Sequence, residues 1–145
     1  WPNDIINGGK KYCGVLIENQ LSGGSLEGSV VGMGLNLNQQ KFQSSQASSL
    51  ALLLGTSVDL VKAESQLLEA LEKRYLQLRG LGRRSALKNE YLNKLYGYGQ
   101  EVMIEEEGHQ RLVKITDVTD EGYLEVLNPD QSSGKYAFKD IKFVL

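Results

Sequence analysis

Apolar and polar residues change their period twice along this chain, and the changes mark three regions. From Asp4 to Asn38 the pattern is extended. Ile5-Ile6 runs into Asn7-Gly8-Gly9, a tight-turn signal because Asn and Gly accept positive φ at little steric cost. Lys11 to Glu18 is rich in β-formers and reads as the return strand. Gln20 to Ser25 has the composition of a loop. Ser29 to Leu37 reads as a further strand, with Gly28, Gly32 and Gly34 spaced along it.

From about Ser45 to Leu95 the period is helical. Ala47 to Leu54 predicts a short apolar helix stopped by Gly55. Thr56-Ser57 offers capping oxygens for the next helix, with Asp59 suited to its positive N-terminal end. Leu60, Leu67, Leu71, Tyr75 and Leu78 recur at helical spacing opposite Glu64, Glu69, Glu72, Lys73 and Gln77, which predicts an amphipathic helix. Gly80 and Gly82 end it. Ser85 is the expected cap of a third helix in which Leu87, Tyr91 and Leu95 align.

From about Gly97 the pattern returns to strand and turn. Gln100–Ile104, Leu112–Val118, Tyr123–Leu127, Tyr136–Phe138 and Ile141–Val144 are separated by Glu106-Glu107-Gly108, Asp120-Glu121-Gly122 and Asn128-Pro129-Asp130. Short strands at this spacing predict a small closed or half-closed barrel of the Src-homology-3-like size. Helices segregated from strands, with an all-β tail, give an α+β class. The expected domains are 1–96 and 97–145.

Composition narrows the function classes. The 145 residues include 41% hydrophobic and 23% charged positions with a net charge of −2, as in ordinary globular proteins. No basic stripe marks a nucleic-acid surface. One cysteine, Cys13, excludes an intrachain disulfide framework, and with the single histidine, His109, it excludes a zinc site of several Cys and His ligands. The longest apolar run, Leu50 to Leu54, is too short for a membrane span. A cytoplasmic protein with no membrane partner is expected. The chain opens on Trp1-Pro2-Asn3-Asp4 rather than Met, and is expected to be a piece of a longer protein.

Two constellations carry candidate chemistry. Asp4 and Lys11 lie on adjacent strands of one tight hairpin, where their side chains can share a face. A lysine there would neutralise two anions that must approach each other, and Gly14 would let a ligand lie against the backbone. The same residues also read as a turn aspartate beside a solvated strand end. The second constellation is Gly32-Met33-Gly34-Leu35-Asn36. It lacks the third glycine and the following helix of a dinucleotide fingerprint. Its glycines suit either close backbone approach to a ligand or simple sheet packing, and Asn36 offers an amide to a phosphate or a hydrated metal. Cys13 reads as a small buried hydrophobe, His109 as an exposed loop residue, and Glu105-Glu106-Glu107 as a solvated hairpin tip. Tyr91, Tyr96 and Tyr98 suit packing of the last helix on the barrel.

In this order, Trp1-Pro2-Asn3-Asp4, Lys11-Tyr12-Cys13-Gly14-Val15-Leu16-Ile17-Glu18 and Gly32-Met33-Gly34-Leu35-Asn36 resemble the biotin protein ligase family. The resemblance implies the C-terminal half of the catalytic domain, a mixed sheet with helices of the biotin/lipoate-ligase type, followed by the small C-terminal barrel. It implies ligation of biotin to a lysine of a biotin carboxyl carrier domain through biotinyl-5′-AMP, using ATP and Mg²⁺. On matching positions, Lys11 and Asp4 would be catalytic. Lys11, Gly14, Val15, Leu16 and Leu35 would bind biotin, and Asn3, Asn36 and Lys11 the nucleotide. Asn36 and Asp4 would face the metal, while Lys139 and Lys142 of the barrel are weaker candidates for phosphate.

The family's glycine- and arginine-rich loop precedes Trp-Pro-Asn-Asp and is not in this sequence, so the chain alone is expected to ligate biotin poorly. The catalytic-domain sheet is expected to have an open edge, which invites self-association as a homodimer. The tract Arg79-Gly80-Leu81-Gly82-Arg83-Arg84 lies downstream and reads as a helix stop. Competing readings are a non-catalytic interaction module built on the barrel and a lipoate-ligase relative.

Overall fold

A computed structural model describes residues 2–80, 84–137 and 139–144. Trp1 of the first motif, residues 81–83 of the arginine–glycine tract and Phe138 of the expected Tyr136 strand lie outside them. Two compact units divide the chain within its long helix, one comprising Pro2–Gln66 and the other running from Leu67 onward.

The first unit holds three antiparallel strands in the order β1 (Asp4–Asn7), β2 (Lys10–Ser22) and β3 (Ser25–Leu35). Gly8 and Gly9 take φ of 55° and 73° between Asn7 and Lys10, the pair of left-handed residues that matches strand twist in a two-residue hairpin. Gly23 and Gly24 repeat the device at φ 56° and 81°. The segment expected as a loop from Gln20 to Ser25 is therefore mostly strand. Ser22 pairs directly with Ser25, because the two glycines alone complete the reversal.

The pairing of β1 with β2 is irregular. Asp4 faces Gly14 and Ile5 faces Cys13, but Ile6 faces Lys11, leaving Tyr12 without a partner in β1. This is a β-bulge, which re-aims the side chains that follow it. Past the sheet, Ala47 bridges Lys11 in parallel, so the short helix starts later than its apolar run suggests. That helix is α1 (Leu50–Leu54), with Ser49 Oγ accepting from Leu52 N at its N-terminus and Gly55 at φ 70° closing it. Cys13 of β2 and Ser48, Ser49 and Ala51 of this segment are buried.

The helix α2 (Leu60–Arg79) is capped by Asp59, whose Oδ1 accepts from Lys62 N at 3.1 Å, rather than by Thr56 or Ser57. Ser57 is turned instead toward Asn38. Gly80 N donates back to Leu76 O, ending the helix where expected. The apolar face predicted for α2 is present in sequence but no residue of the helix is buried. Its period set the helix without setting a partner.

In α3 (Arg84–Lys94) the buried residue is Leu92, with Leu95 beyond the helix packed on the same core. The expected Leu87–Tyr91–Leu95 face is rotated accordingly, and Ser85 lies inside the helix. Five antiparallel strands follow: β4 (Glu101–Glu106), β5 (His109–Val118), β6 (Leu124–Leu127), β7 (Ser133–Tyr136) and β8 (Lys142–Phe143), ordered β7-β6-β5-β4-β8. β7 and β8 are the edges, so the hydrogen-bonded barrel is half-closed. Ile104, Val113, Ile115, Leu124 and Val126 form its core, each at most 1% exposed. Pairing in β5 shifts between Ile115 and Asp117, which moves the buried phase from Val113 and Ile115 to Val118. Among the described residues, parallel pairing is confined to the bridges Lys11–Ala47 and Tyr98–Ile115.

At the β4–β5 turn only Glu107 (φ 50°) and Gly108 form the tip. Glu105 and Glu106 belong to β4, where they pair with Lys142 and Arg111. Exposed His109 opens β5. Tyr96 packs against Phe143 with ring centres 5.5 Å apart, and Tyr98 lies against the core, so these two rings serve packing as expected. Among the described residues no helix is long and apolar enough to cross a membrane.

Two outcomes follow from this packing. A Cβ on Gly97 (φ 70°) would overlap Val102 Cγ1, whereas one on Gly24 (φ 81°) would meet nothing within 4 Å. Gly97→Ala is expected to destabilise the second unit by about 2 kcal/mol or more, and Gly24→Ala to cost only about 1 kcal/mol, the backbone effect alone. Urea denaturation followed by circular dichroism checks this, and equal losses would contradict it. Burial also pushes the Cys13 thiol above its ordinary value of 9.0, keeping the unreactive thiol form. Native Cys13 is expected to resist iodoacetamide at pH 9.0, reacting only at higher pH or in denaturant. Rapid native labelling at that pH would show the thiol to be open.

Candidate functional site

The bulge at Tyr12 decides what stands on the first sheet. Along a regular strand Lys11 and Gly14, three residues apart, would point to opposite faces. With Tyr12 absorbed as an extra residue, Lys11 joins the face of Asp4 and Gly14. Its Nζ lies 2.6 Å from Asp4 Oδ1, so the two residues singled out as catalytic do meet.

The backbone beneath Lys11 is fully bonded. Lys11 N donates to Gln46 O at 2.7 Å, and Lys11 O accepts from Ser48 N at 2.8 Å. Asn36 secures the same junction: its N–H donates to Tyr12 O, its carbonyl accepts from Leu50 N, and its side-chain Nδ2 donates to Ser48 O at 3.1 Å. Asn38 repeats the pattern one turn of chain later, bonding both the N–H and the carbonyl of Val58. The backbone is thus fixed while the side chains above it stay accessible. Lys11 and Asp4 side chains are 46% and 45% exposed. An ion pair this exposed contributes about 1 kcal/mol at most, so an incoming anion can displace the carboxylate from the ammonium.

Lys11 and Asp4 stand at an open cleft of about 470 Å³ lined also by Asn3, Gly14, Val15, Leu16, Gly32, Met33 and Gly34. That volume falls within the range of about 300–1,000 Å³ common for small-molecule sites. Asn3 is held there by its carbonyl, which accepts from Val15 N at 2.7 Å. Gly14 pairs with Gly34, and Leu16 with Gly32, across the β2–β3 ladder. Neither Gly32 nor Gly34 has a positive φ, and a Cβ on either would come only to 3.9 Å of a backbone oxygen. The fold therefore tolerates side chains there, and their absence leaves space in the cleft.

Most of the residues proposed from sequence within the first unit are brought together, and two are not. Leu35 pairs with the buried Cys13 and is not among the lining residues. Asn36 spends its amide on Ser48 and is also outside the cleft. Met33 was not singled out from the sequence, although it lies between the two glycines that were. Asp4 is the only carboxylate lining the cleft, and no cluster of three His, Cys, Asp or Glu residues occurs among the described residues. Asp4 lies against Lys11, and Asn36 Nδ2 donates to Ser48 O outside the cleft. Lys142 pairs with Glu105 at 3.7 Å, and Lys139, at φ 73°, belongs to the following turn.

No family model matches the chain. It is 32% identical to a biotin–[acetyl-CoA-carboxylase] ligase of Mycobacterium tuberculosis over 126 residues, 86% of this chain and 45% of that protein. It is 35% identical over 80 residues to the bifunctional ligase/repressor BirA of Bacillus subtilis, 52% of this chain and 25% of that protein. The matched stretches thus span less than half of these curated relatives. In fold it is similar to the biotin protein ligase of Aquifex aeolicus, with a TM-score of 0.75 at 22% identity over 99% of this chain and 63% of that one. The same Aquifex protein in complex with biotin and ATP gives a TM-score of 0.73 at 22% identity, covering 99% of this chain and 60% of that chain. Over the stretch that it spans, the chain is a relative of the biotin protein ligases in sequence and carries their fold.

Proposed function

We propose that this chain supplies part of an ATP-dependent biotin ligase that modifies a lysine of a biotin carboxyl carrier domain. The observation that carries the reading is the Lys11–Asp4 pair at the mouth of a glycine-floored cleft, in a chain whose relatives are named as biotin ligases. In this reading residues 1–96 belong to the catalytic part and 97–145 to the accessory barrel, in a cytoplasmic protein.

In the first step a biotin carboxylate oxygen attacks the α-phosphorus of ATP. The new P–O bond forms as the bond to the β-phosphate oxygen breaks, and pyrophosphate leaves. Lys11 exchanges Asp4 for the two anions, reducing the repulsion between carboxylate and α-phosphate. It also strengthens its hold as charge grows on the transferring phosphoryl group. In the second step the carrier lysine amine attacks the acyl carbon of the mixed anhydride, AMP departs, and the amine loses a proton. Asp4, released from Lys11 and on the same face, is placed to accept it.

Val15, Leu16 and the backbone of Gly14, Gly32 and Gly34 suit the apolar body of biotin, and Asn3 the nucleotide. With Asp4 the one carboxylate at the cleft, the residues present suit a Mg²⁺ that would arrive with the triphosphate, keep most of its waters and neutralise phosphate charge. Leu35 and Asn36 serve indirectly, by fixing β3 and the backbone beneath Lys11.

The test, run in the intact parent protein, is biotin-dependent exchange of labelled pyrophosphate into ATP. Lys11→Ala is expected to lower exchange by about 100-fold or more with the circular dichroism spectrum unchanged. Exchange at the unsubstituted rate would remove Lys11 from the chemistry. Lipoate is expected to support no exchange in place of biotin. Exchange with lipoate alone would favour the lipoate-ligase reading.

A further inference from the structure

We infer that Gly14 is a positioning residue for Lys11: its missing side chain is the seat in which the lysine ammonium rests beside Asp4. The glycines of the first sheet fall into three groups. Gly8, Gly9, Gly23 and Gly24 have positive φ and are required by their turns. Gly28, Gly32 and Gly34 have neither positive φ nor a close neighbour, and the last two leave space for a ligand. Gly14 also lacks a positive φ, yet a Cβ there would lie 3.2 Å from Lys11 Nζ and 3.3 Å from Lys11 Cε, with Asp4 Oδ1 at 4.0 Å. An alanine at 14 would therefore meet the lysine first, and the backbone not at all.

The distances decide the consequence. Contact at 3.2 Å is tighter than a methyl group and a hydrated ammonium tolerate, so one of them must yield by a few tenths of an ångström. The Gly14 backbone is held by its ladder to Asp4 and Gly34, and the lysine stem is flexible, so the lysine yields. The alanine variant is expected to fold, and the 2.6 Å contact with Asp4 is what the shift strains and weakens. This deepens the proposed function and rests on it for the purpose of the ammonium, though not for its position.

Two measurements separate the seat from the ligase reading. In the first, the protein is treated with a limiting acetylating ester, and acetylation of Lys11 is read by peptide mass spectrometry against exposed Lys73 on α2. A carboxylate bonded to the amine shields it. Gly14→Ala and Asp4→Asn are each expected to raise the relative rate about threefold, the scale of an exposed ion pair. The double variant is expected to add nothing further, and Gly34→Ala to leave the rate unchanged. An unchanged rate in Gly14→Ala or in Asp4→Asn, or additive effects in the double variant, would overturn the seat.

In the second, biotin is compared with biotinamide, which lacks the carboxylate charge. Gly14→Ala is expected to weaken biotin binding about tenfold more than it weakens biotinamide binding, a difference readily resolved by calorimetry. Equal loss of both would make Gly14 a ligand wall and overturn the proposal. Failure of the unsubstituted protein to bind biotin would defeat the ligase reading and leave the acetylation result to decide the seat.

Discussion

Strand alternation would place Lys11 and Gly14 on opposite faces of β2, and the extra residue Tyr12 brings them to one. The candidate site depends on this irregularity. It lets a carboxylate from β1, an ammonium from the start of β2 and a side-chain-free position further along β2 share one patch of sheet. The bulge has no partner in β1 to hold it, and its support comes from the other edge. Asn36 N bonds Tyr12 O, while Gln46 and Ser48 take both backbone groups of Lys11. The Lys11 N–H, the Lys11 carbonyl and the Tyr12 carbonyl are thereby paired, as backbone groups away from water require.

This division of labour separates rigidity from chemistry. The backbone at Lys11 is bonded on both its N–H and its carbonyl, whereas the ammonium and its carboxylate partner remain about half exposed. A buried pair would hold the lysine against any ligand, because breaking it leaves an uncompensated charge. An exposed pair positions the lysine and then releases it at little cost. The same economy is visible in the glycines, where the turn positions serve the fold and Gly32 and Gly34 serve the cleft.

Local chemistry was legible in the sequence wherever it depended on neighbours in the chain. Asn7-Gly8-Gly9 announced its turn, Gly55 its helix end, and the alternation of Val113 and Ile115 its strand. The pairing of Asp4 with Lys11 could be anticipated from the hairpin. Features that depend on distant partners were not legible. Nothing in Tyr12 marks a bulge, since a β-forming residue serves equally in a regular strand. An asparagine such as Asn36 offers the same amide to a ligand or to the chain, and its Nδ2 bond to Ser48 O is visible only in the fold. The helical period of Leu60 to Leu78 fixed where α2 runs, but a period does not say what covers the face it draws. Leu92 rather than Leu87 became the buried residue of α3 because the second sheet, not the helix, decides which side is inward.

The central claim is that the bulge at Tyr12 creates the anion-handling face. Inserting one residue between Ile5 and Ile6 gives Tyr12 a partner, so pairing from Asp4 to Asn7 becomes regular and Lys11 turns away from Asp4 while the β2–β3 ladder stays in register. Titration calorimetry with biotin, on the unaltered protein and on the insertion, tests it directly. The insertion is expected to keep its strand signal in circular dichroism and to lose biotin affinity by about tenfold or more, the equivalent of one charge-assisted contact. Unchanged affinity in a folded insertion variant would contradict the account.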